Sequence, residues 1–241
     1  MYEPQTYRQW IKDSDLVSFN VTVKQTDLYI RARRNLKDKA FKSVLRHRAS
    51  LEKYIEHHPL FLTTLEPHQA EKDAPTIIKE MARTSQLAGV GPMAAVAGTI
   101  AEAVGRDLFP FSQEVIVENG GDIFLKISQK RLVGVYAGHS PFTGKIALEI
   151  KPQETPLGIC TSSASIGHSL SLGSADAVIA LSHSAPLADA IATAVGNMVR
   201  DTEDIPGAIE KAQKIEGLHG IVIIKDSKIG IWGKVKIVPL G

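Results

Sequence analysis

Residues 114–137 read Glu-Val-Ile-Val-Glu-Asn-Gly-Gly-Asp-Ile-Phe-Leu-Lys-Ile-Ser-Gln-Lys-Arg-Leu-Val-Gly-Val-Tyr-Ala. Three apolar runs of strand length, Glu114 to Glu118, Ile123 to Ile127 and Leu132 to Ala137, are separated by Asn119-Gly120-Gly121-Asp122 and Ser128-Gln129-Lys130. Glycine and asparagine reach the positive φ of a tight hairpin turn, so the stretch predicts an antiparallel meander.

The same logic extends in both directions. Toward the N-terminus, Phe19, Val21 and Val23 alternate with polar residues, and after Gln25-Thr26-Asp27 the alternation resumes at Leu28, Ile30 and Ala32, predicting a hairpin. Apolar residues recur at helical spacing from Asn35 to about His57, and Pro59 is expected to stop that helix. Pro75 suits the start of a second helix carrying Ile77, Ile78, Met81 and Ala82. Gly89-Val90-Gly91-Pro92 breaks it, and a third helix from Met93 to Val104 has unusually small side chains.

Toward the C-terminus, Lys145 to Ile150, Gly158 to Thr161 and Ala175 to Leu181 read as strands. Ser184 caps a fourth helix from Ala185 to about Val199, and a short helix spans Pro206 to Ile215. A final pair of strands is expected at Gly220 to Ile224 and Ile229 to Ile237. Helices grouped between antiparallel strands predict an α+β layered fold, and no linker marks a boundary within residues 1–241.

Composition sets further bounds. A formal net charge of +2 gives no whole-protein field toward nucleic acid or membrane, so neither partner is expected. The lone cysteine, Cys160, excludes an intramolecular disulfide and fits a reducing compartment. The first ten residues lack the apolar run of a signal peptide, and no stretch is long enough to span a bilayer; the expectation is a cytoplasmic protein.

The fourth helix is the most informative for chemistry. Leu187, Ile191, Val195 and Val199 make one four-spaced stripe and Asp189, Thr193 and Asn197 a second. By periodicity alone the second stripe is the solvated face of an amphipathic helix. The alternative is an oxygen-ligand site for a hard cation such as magnesium, with the intervening alanines leaving room for close approach to the backbone. In residues 158–169, hydroxyls and small residues offer donors to a phosphate, or simply form a polar loop. His168 there is a candidate acid or base. Cys160 is either a reactive thiol or a buried small hydrophobe. Asn119 to Asp122 is a hairpin turn, or a place where glycines let a ligand touch the backbone. Gly89, Gly91 and Pro92 precede a helix whose free amides suit a phosphate. Arg31, Arg33, Arg34, Lys37, Lys39, Lys42, Arg46 and Arg48 form a basic run that is either a solvated face or a site for anions or nucleic acid.

Taken in order, these segments resemble the ApbE-type flavin transferase superfamily. Gly91 to Glu102 is similar to that family's glycine-containing helix, and Glu118 to Ile123 to its Asn-x-Gly-Gly-Asp hairpin. Thr161-Ser162 is similar to its Thr-Ser-Gly loop, followed here by His168, and Leu187 to Ala194 to its Ala-Asp-Ala-Leu-Ala-Thr-Ala helix. The resemblance is strongest over residues 89–197. It departs from the pattern at Ala97-Gly98, where the family has Lys-Gly, at Ser163, where it has glycine, and after His168, where Asp and Pro are missing.

The resemblance implies an ApbE-like domain over residues 1–241, with a T-fold-like layered architecture, that binds FAD or FMN with magnesium and acts at the pyrophosphate. It implies Asp189 and Thr193 as metal ligands, with the Ala192 carbonyl. Asn119, Gly120, Gly121, Asp122, Thr161, Ser162 and Ser163 would line the nucleotide pocket, and His168 would carry a proton. The departures point to an uncharacterised side branch of the superfamily. Two rival expectations stand beside it: sulfur or thiol chemistry at Cys160, or a vacant site on an interaction module using the basic run. A homodimer is compatible with the small-residue helices and a sheet edge, and the sequence assigns no role to residues 1–88.

Overall fold

Alternation in the N-terminal segment folds as read. In the computed structural model, which describes residues 15–163 and 173–240, β1 (Val17–Val23) pairs antiparallel with β2 (Thr26–Ala32). The loop between them is the dipeptide Lys24-Gln25, one residue shorter than expected and shifted toward the N-terminus, with Lys24 at φ 52°. The long helical pattern forms α1 (Lys37–His57). Pro59 does more than end it: proline's fixed φ suits a first helical turn, and α2 (Pro59–Thr63) starts there. α3 (Thr76–Ala88) ends at Gly89 in the left-handed conformation, the usual glycine C-cap.

The third helix differs in detail. Pro92–Ala95 is a 3₁₀ turn, and α4 (Val96–Leu108) follows it. Its small residues let it lie close to other parts of the chain. A β-carbon on Gly105 would sit 2.6 Å from the Phe124 ring, and one on Gly98 would sit 2.5 Å from the carbonyl oxygen of Ala185. Phe124 is fully buried beneath α4, a burial that contributes about 1.5–3 kcal/mol.

The expected meander breaks after its second strand. β3 (Val115–Asn119) and β4 (Asp122–Lys126) pair around Gly120-Gly121, both at positive φ. β5 (Arg131–Gly134) leaves that sheet and pairs with β6 (Ile146–Ile150). β7 (Leu157–Ser162) takes the place beside β4, and β8 (Ala177–Ser182) pairs with β7. α5 (Ala185–Gly196) follows, with the Ser184 hydroxyl accepting the Leu187 N–H, then α6 (Asp204–Ala212). β9 (Gly220–Lys225) and β10 (Lys228–Gly233) form a hairpin. The last expected strand is interrupted at Gly233, φ 83°, and β11 (Ile237–Pro239) crosses to pair with β6.

The result is one eight-stranded antiparallel sheet, β1-β2-β3-β4-β7-β8-β9-β10, and one three-stranded sheet, β11-β6-β5. Side chains alternate across a strand, so the large sheet serves two cores. Val117, Phe124, Cys160, Val178, Ala180, Ile221 and Ile223 face the helices. Ile116, Leu125, Ile159, Ile179, Leu181, Val222 and Ile224 pack with Leu148 and Ile150 of the small sheet. The central strands therefore read as continuous apolar runs, as strands covered on both faces do. This is the α+β layering the sequence predicts. No single helix among the described residues is long and apolar enough to cross a membrane.

Candidate functional site

Three separate segments meet at one end of the large sheet, where the β3–β4 turn lies beside the C-terminal end of β7. A β-carbon on Gly121 would be 4.0 Å from Thr161. Antiparallel pairing of β4 with β7 places Ile123 opposite Ile159 and so draws the Gly-Gly turn alongside Thr161 and Ser162. α5 lies against β7 and brings Asp189 to the helix side of the same strands. The Cβ of Asp189 lies where a Gly98 β-carbon would meet it at 2.9 Å.

Strand alternation divides these residues between the two faces of the sheet. Asn119, Asp122, Cys160 and Asp189 lie on the helix side. The Asn119 amide donates to the carbonyl of Ala97 at 3.1 Å, and the N–H of Gly98 donates to Asp189 Oδ2 at 2.8 Å. Asp122 Oδ1 accepts the N–H of Thr161 at 3.3 Å. The Cys160 thiol donates to the carbonyl of Ala185 at 3.3 Å. On the other face, Gly120, Gly121, Thr161 and Ser163 rim a cleft between the two sheets. Its walls are apolar, including Ile123, Val133, Val135, Leu148, Ile159 and Ile179, with Tyr136 beside them. No lysine or arginine lines it among the described residues.

The helix-side cluster has unusual electrostatics. Asp189 is buried, and burial pushes its carboxyl up to about 7 against the N–H groups of Gly98 and Ala97, which favour the anion. Burial also raises Asp122 well above the ordinary aspartate range, and the neighbouring Asp189 charge adds to it. Two buried carboxyls sharing a site resist ionising together, which stores affinity for a proton or a cation there. Cys160 is fully buried and its thiol is pushed well up, first by burial and then by Asp122 and Asp189. That is the opposite of the electropositive setting that makes a thiolate nucleophile, and Cys160 occupies the place of a small core hydrophobe.

Periodicity alone suggests a solvated stripe on α5, and the structure corrects it. Asp189 is buried and Thr193 and Asn197 are only partly exposed, because α5 is packed against β7, β8, α3 and α4. The room left by its alanines, and by Gly98 and Gly158, is filled by the protein itself. A β-carbon on Gly158 would sit 2.4 Å from the Cα of Ala185. Ser162 faces the end of α5, its hydroxyl 3.2 Å from where a Gly196 β-carbon would stand. Ala192 is buried within α5. A β-carbon on Gly91 would sit 2.0 Å from the Thr64 carbonyl oxygen, and Gly89 is the left-handed cap of α3, so both glycines have a structural reason to be there. The basic run is largely engaged: Arg46 pairs with Asp107, Arg48 with Glu52, and Arg33 with Glu114 and Asp15. His168 lies outside the described residues.

Two acids escaped the sequence reading. Glu102 Oε2 accepts the N–H of Ala185, the first residue of α5, at 2.7 Å, while Oε1 pairs with Arg106 at 2.7 Å. Glu118 Oε1 accepts the N–H of Gly121 at 2.9 Å and stiffens the Gly-Gly turn. The signal for Glu102 was an acid standing alone in a run of small residues. Glu118 precedes a turn it closes by three residues, a spacing that serves many purposes.

A family model described as AbpE bacteria matches residues 8–229. A UPF0280 protein of Methanocaldococcus jannaschii is 40% identical over 221 residues, covering 89% of this chain and 90% of that protein. A UPF0280 protein of Methanocella arvoryzae is 42% identical over 194 residues, covering 80% and 79%. Among solved structures, the ApbE protein of Thermotoga maritima matches with a TM-score of 0.60 at 10% identity, over 89% of this chain and 96% of that one. The apo flavinyl transferase ApbE of Pseudomonas stutzeri matches with a TM-score of 0.56 at 11% identity, over 91% and 95%. At such identities the likeness is one of fold.

Proposed function

This chain belongs to the AbpE bacteria family, and from that membership we propose that it binds a flavin nucleotide, FAD or FMN, with magnesium and acts at the pyrophosphate. The observation that carries this reading is the meeting of the Gly120-Gly121 turn, the Thr161–Ser163 strand end and the buried Asp189 at one end of the sheet. The apolar cleft suits a planar ring system, and the hydroxyl residues Thr161 and Ser163 on its rim suit phosphate oxygens. The fold is shared with proteins described as flavin transferases.

The donor set fits a hard cation. Among the described residues no three of His, Cys, Asp and Glu converge as a complete metal cage. Magnesium is satisfied by one or two carboxylates with waters and substrate phosphates, and here Asp189, the Thr193 hydroxyl and the Ala192 carbonyl would contribute. When bound, the ion would neutralise charge developing on phosphate oxygens. Asp189 is held in place by the Gly98 N–H, which donates to its Oδ2, and by the neighbouring Ala97 N–H. Gly120 and Gly121 admit a phosphate to their backbone, Asn119 fixes that turn to α4, and Thr161 and Ser163 donate at the rim. Asp122 restrains the Thr161 amide, and His168 is the proposed proton carrier.

Calorimetric titration with FAD, FMN and ADP, in magnesium and in chelator, tests this. Tight binding of FAD or FMN that requires magnesium and disappears in Asp189→Asn is the expected result. Binding of none of the three nucleotides in magnesium would overturn it.

A further inference from the structure

Among the described residues the large sheet ends in two edge strands, β1 and β10, and they are built differently. β10 opens with Lys228, carries Gly230, and ends at Gly233, where the backbone turns away to the other sheet. Charge, glycine and a break in the strand are the usual means of blocking edge-to-edge pairing. β1 has none of them. Val17-Ser18-Phe19-Asn20-Val21-Thr22-Val23 contains no charge, proline or glycine, and pairs with β2 in unbroken register. Among the described residues it is the last strand of its sheet.

The hairpin fixes which groups face outward. With a two-residue loop, Val23 and Thr26 form the closing hydrogen-bonded pair, and in an antiparallel ladder such pairs alternate. The odd-numbered residues of β1 therefore bond to β2. Ser18, Asn20 and Thr22 turn their N–H and C=O groups to the open edge, and all three side chains are exposed.

A second feature runs along the same side. Phe41, Leu45, Arg48 and Glu52 are spaced by four, three and four residues and form one stripe on α1. Its lower half is tied to the β1–β2 turn: Arg48 bonds Thr26 and Gln25, and Glu52 pairs with Lys24. The flank facing α4 is a different stripe, in which Ser43, Arg46 and His47 all reach Asp107. Phe41 and Leu45 thus project on the side of α1 away from α4, and they are 44% and 43% exposed. Among the described residues, a strand with an unpaired edge and the apolar flank of the helix packed on it lie side by side.

We propose that this surface pairs with a second copy of the chain, β1 running antiparallel to the partner's β1 about a two-fold axis at Asn20. The edge is complementary to itself about that axis. In that register Ser18 faces the partner's Thr22 and Asn20 its own counterpart, so exposed uncharged polar side chains meet their like along the edge and no charge is left opposite another. A two-fold contact of this kind closes on itself and leaves the guarded β10 edges outermost. Strand pairing alone would bury less than the ~1,200 Å² typical of a stable interface, and the Phe41 and Leu45 flanks, meeting across the axis, add the apolar core.

Light scattering behind size exclusion, over a range of micromolar concentrations, tests this on the full chain. The wild type should have twice the chain mass. Asn20→Lys and Asn20→Asp each set like charges opposite one another at the axis and should each give the single chain mass; mixing the two should restore the doubled mass. Leu45→Glu should also give the single mass without touching the strand. Circular dichroism would check that each variant is folded. A monomeric wild type, a wild type that forms open chains, or a dimer that survives Asn20→Lys and Leu45→Glu would each overturn the proposal.

Discussion

The carboxylate of Asp189 accepts the backbone N–H of Gly98 at 2.8 Å, so an acid of α5 caps the first turn of α4. Glu102, four residues further along α4, returns the favour by accepting the first N–H of α5. Each helix thus satisfies an amide that its own backbone leaves unpaired. This relationship separates two roles of Asp189. Asp189→Asn keeps an acceptor for Gly98, and its melting temperature at neutral pH should not fall below that of the wild type, while magnesium-dependent nucleotide binding is lost. Asp189→Ala leaves a buried N–H unpaired and should cost about 1–3 kcal/mol as well. Urea melts alongside calorimetry distinguish them, and equal destabilisation in both variants would refute the capping role.

Asp189 also gives stability a pH signature. Its carboxyl is raised from 3.8 to about 7 in the fold, so between those values the native state holds a proton that the unfolded state releases. The contribution is fully present below the unfolded value and is lost as pH rises toward about 7. Wild-type stability relative to Asp189→Asn should therefore decline by a few kcal/mol, to order of magnitude, between about pH 4 and about pH 7. Urea melts of both proteins across this window measure it. A flat difference would mean that Asp189 is ionised throughout.

Glu114 is fully buried and joins Arg131, Arg33 and Ser128. Arg131 is nearly as buried and is also held by Asp15 at 2.7 Å. The cluster ties β2, β3 and β5 together, and so links the two sheets. Glu114→Ala removes the buried carboxylate that Arg131, Arg33 and Ser128 share, leaves Arg131 on Asp15, and should cost about 1.5–3 kcal/mol, read as a drop in the urea midpoint. Glu114→Gln, which keeps the shape and part of the hydrogen bonding, should cost less.

Cys160 should resist modification. Its thiol is buried and pushed up by burial and by two neighbouring acids. Iodoacetamide at neutral pH should label the folded protein far more slowly than free cysteine, and labelling should accelerate when urea unfolds the chain. Native labelling at the rate of a free thiol would restore a chemical role for this residue.

Much of this was legible because the governing signals are local. Ser184 before an apolar period marks the start of α5, and Gly120-Gly121 between β-branched runs marks the β3–β4 turn. What stayed hidden depends on contacts far apart in sequence. Nothing in residues 128–137 says that Arg131 starts a strand of a different sheet; that choice is made by pairing with Ile146–Ile150 and by the Glu114 ion cluster. The Asp189 stripe has the spacing of a solvated face, and only the packing of α5 against α4 and β7 buries it. Ile229 to Ile237 reads as one strand until Gly233 is seen in the left-handed region.

The division of the site by the sheet constrains what can use both halves. The apolar cleft opens on one face, the buried acids lie behind the other, and the strands between them form a closed partition. The end of that partition nearest both is the β3–β4 turn at Gly120 and Gly121, which rims the cleft and follows Asn119 and precedes Asp122 on the helix side. A stiff, flat molecule in the cleft stays on one side of that partition. One that reaches both sides must be jointed, with a bulky head on one side, a flexible tether folded over the turn, and its charge gathered where the tether bends.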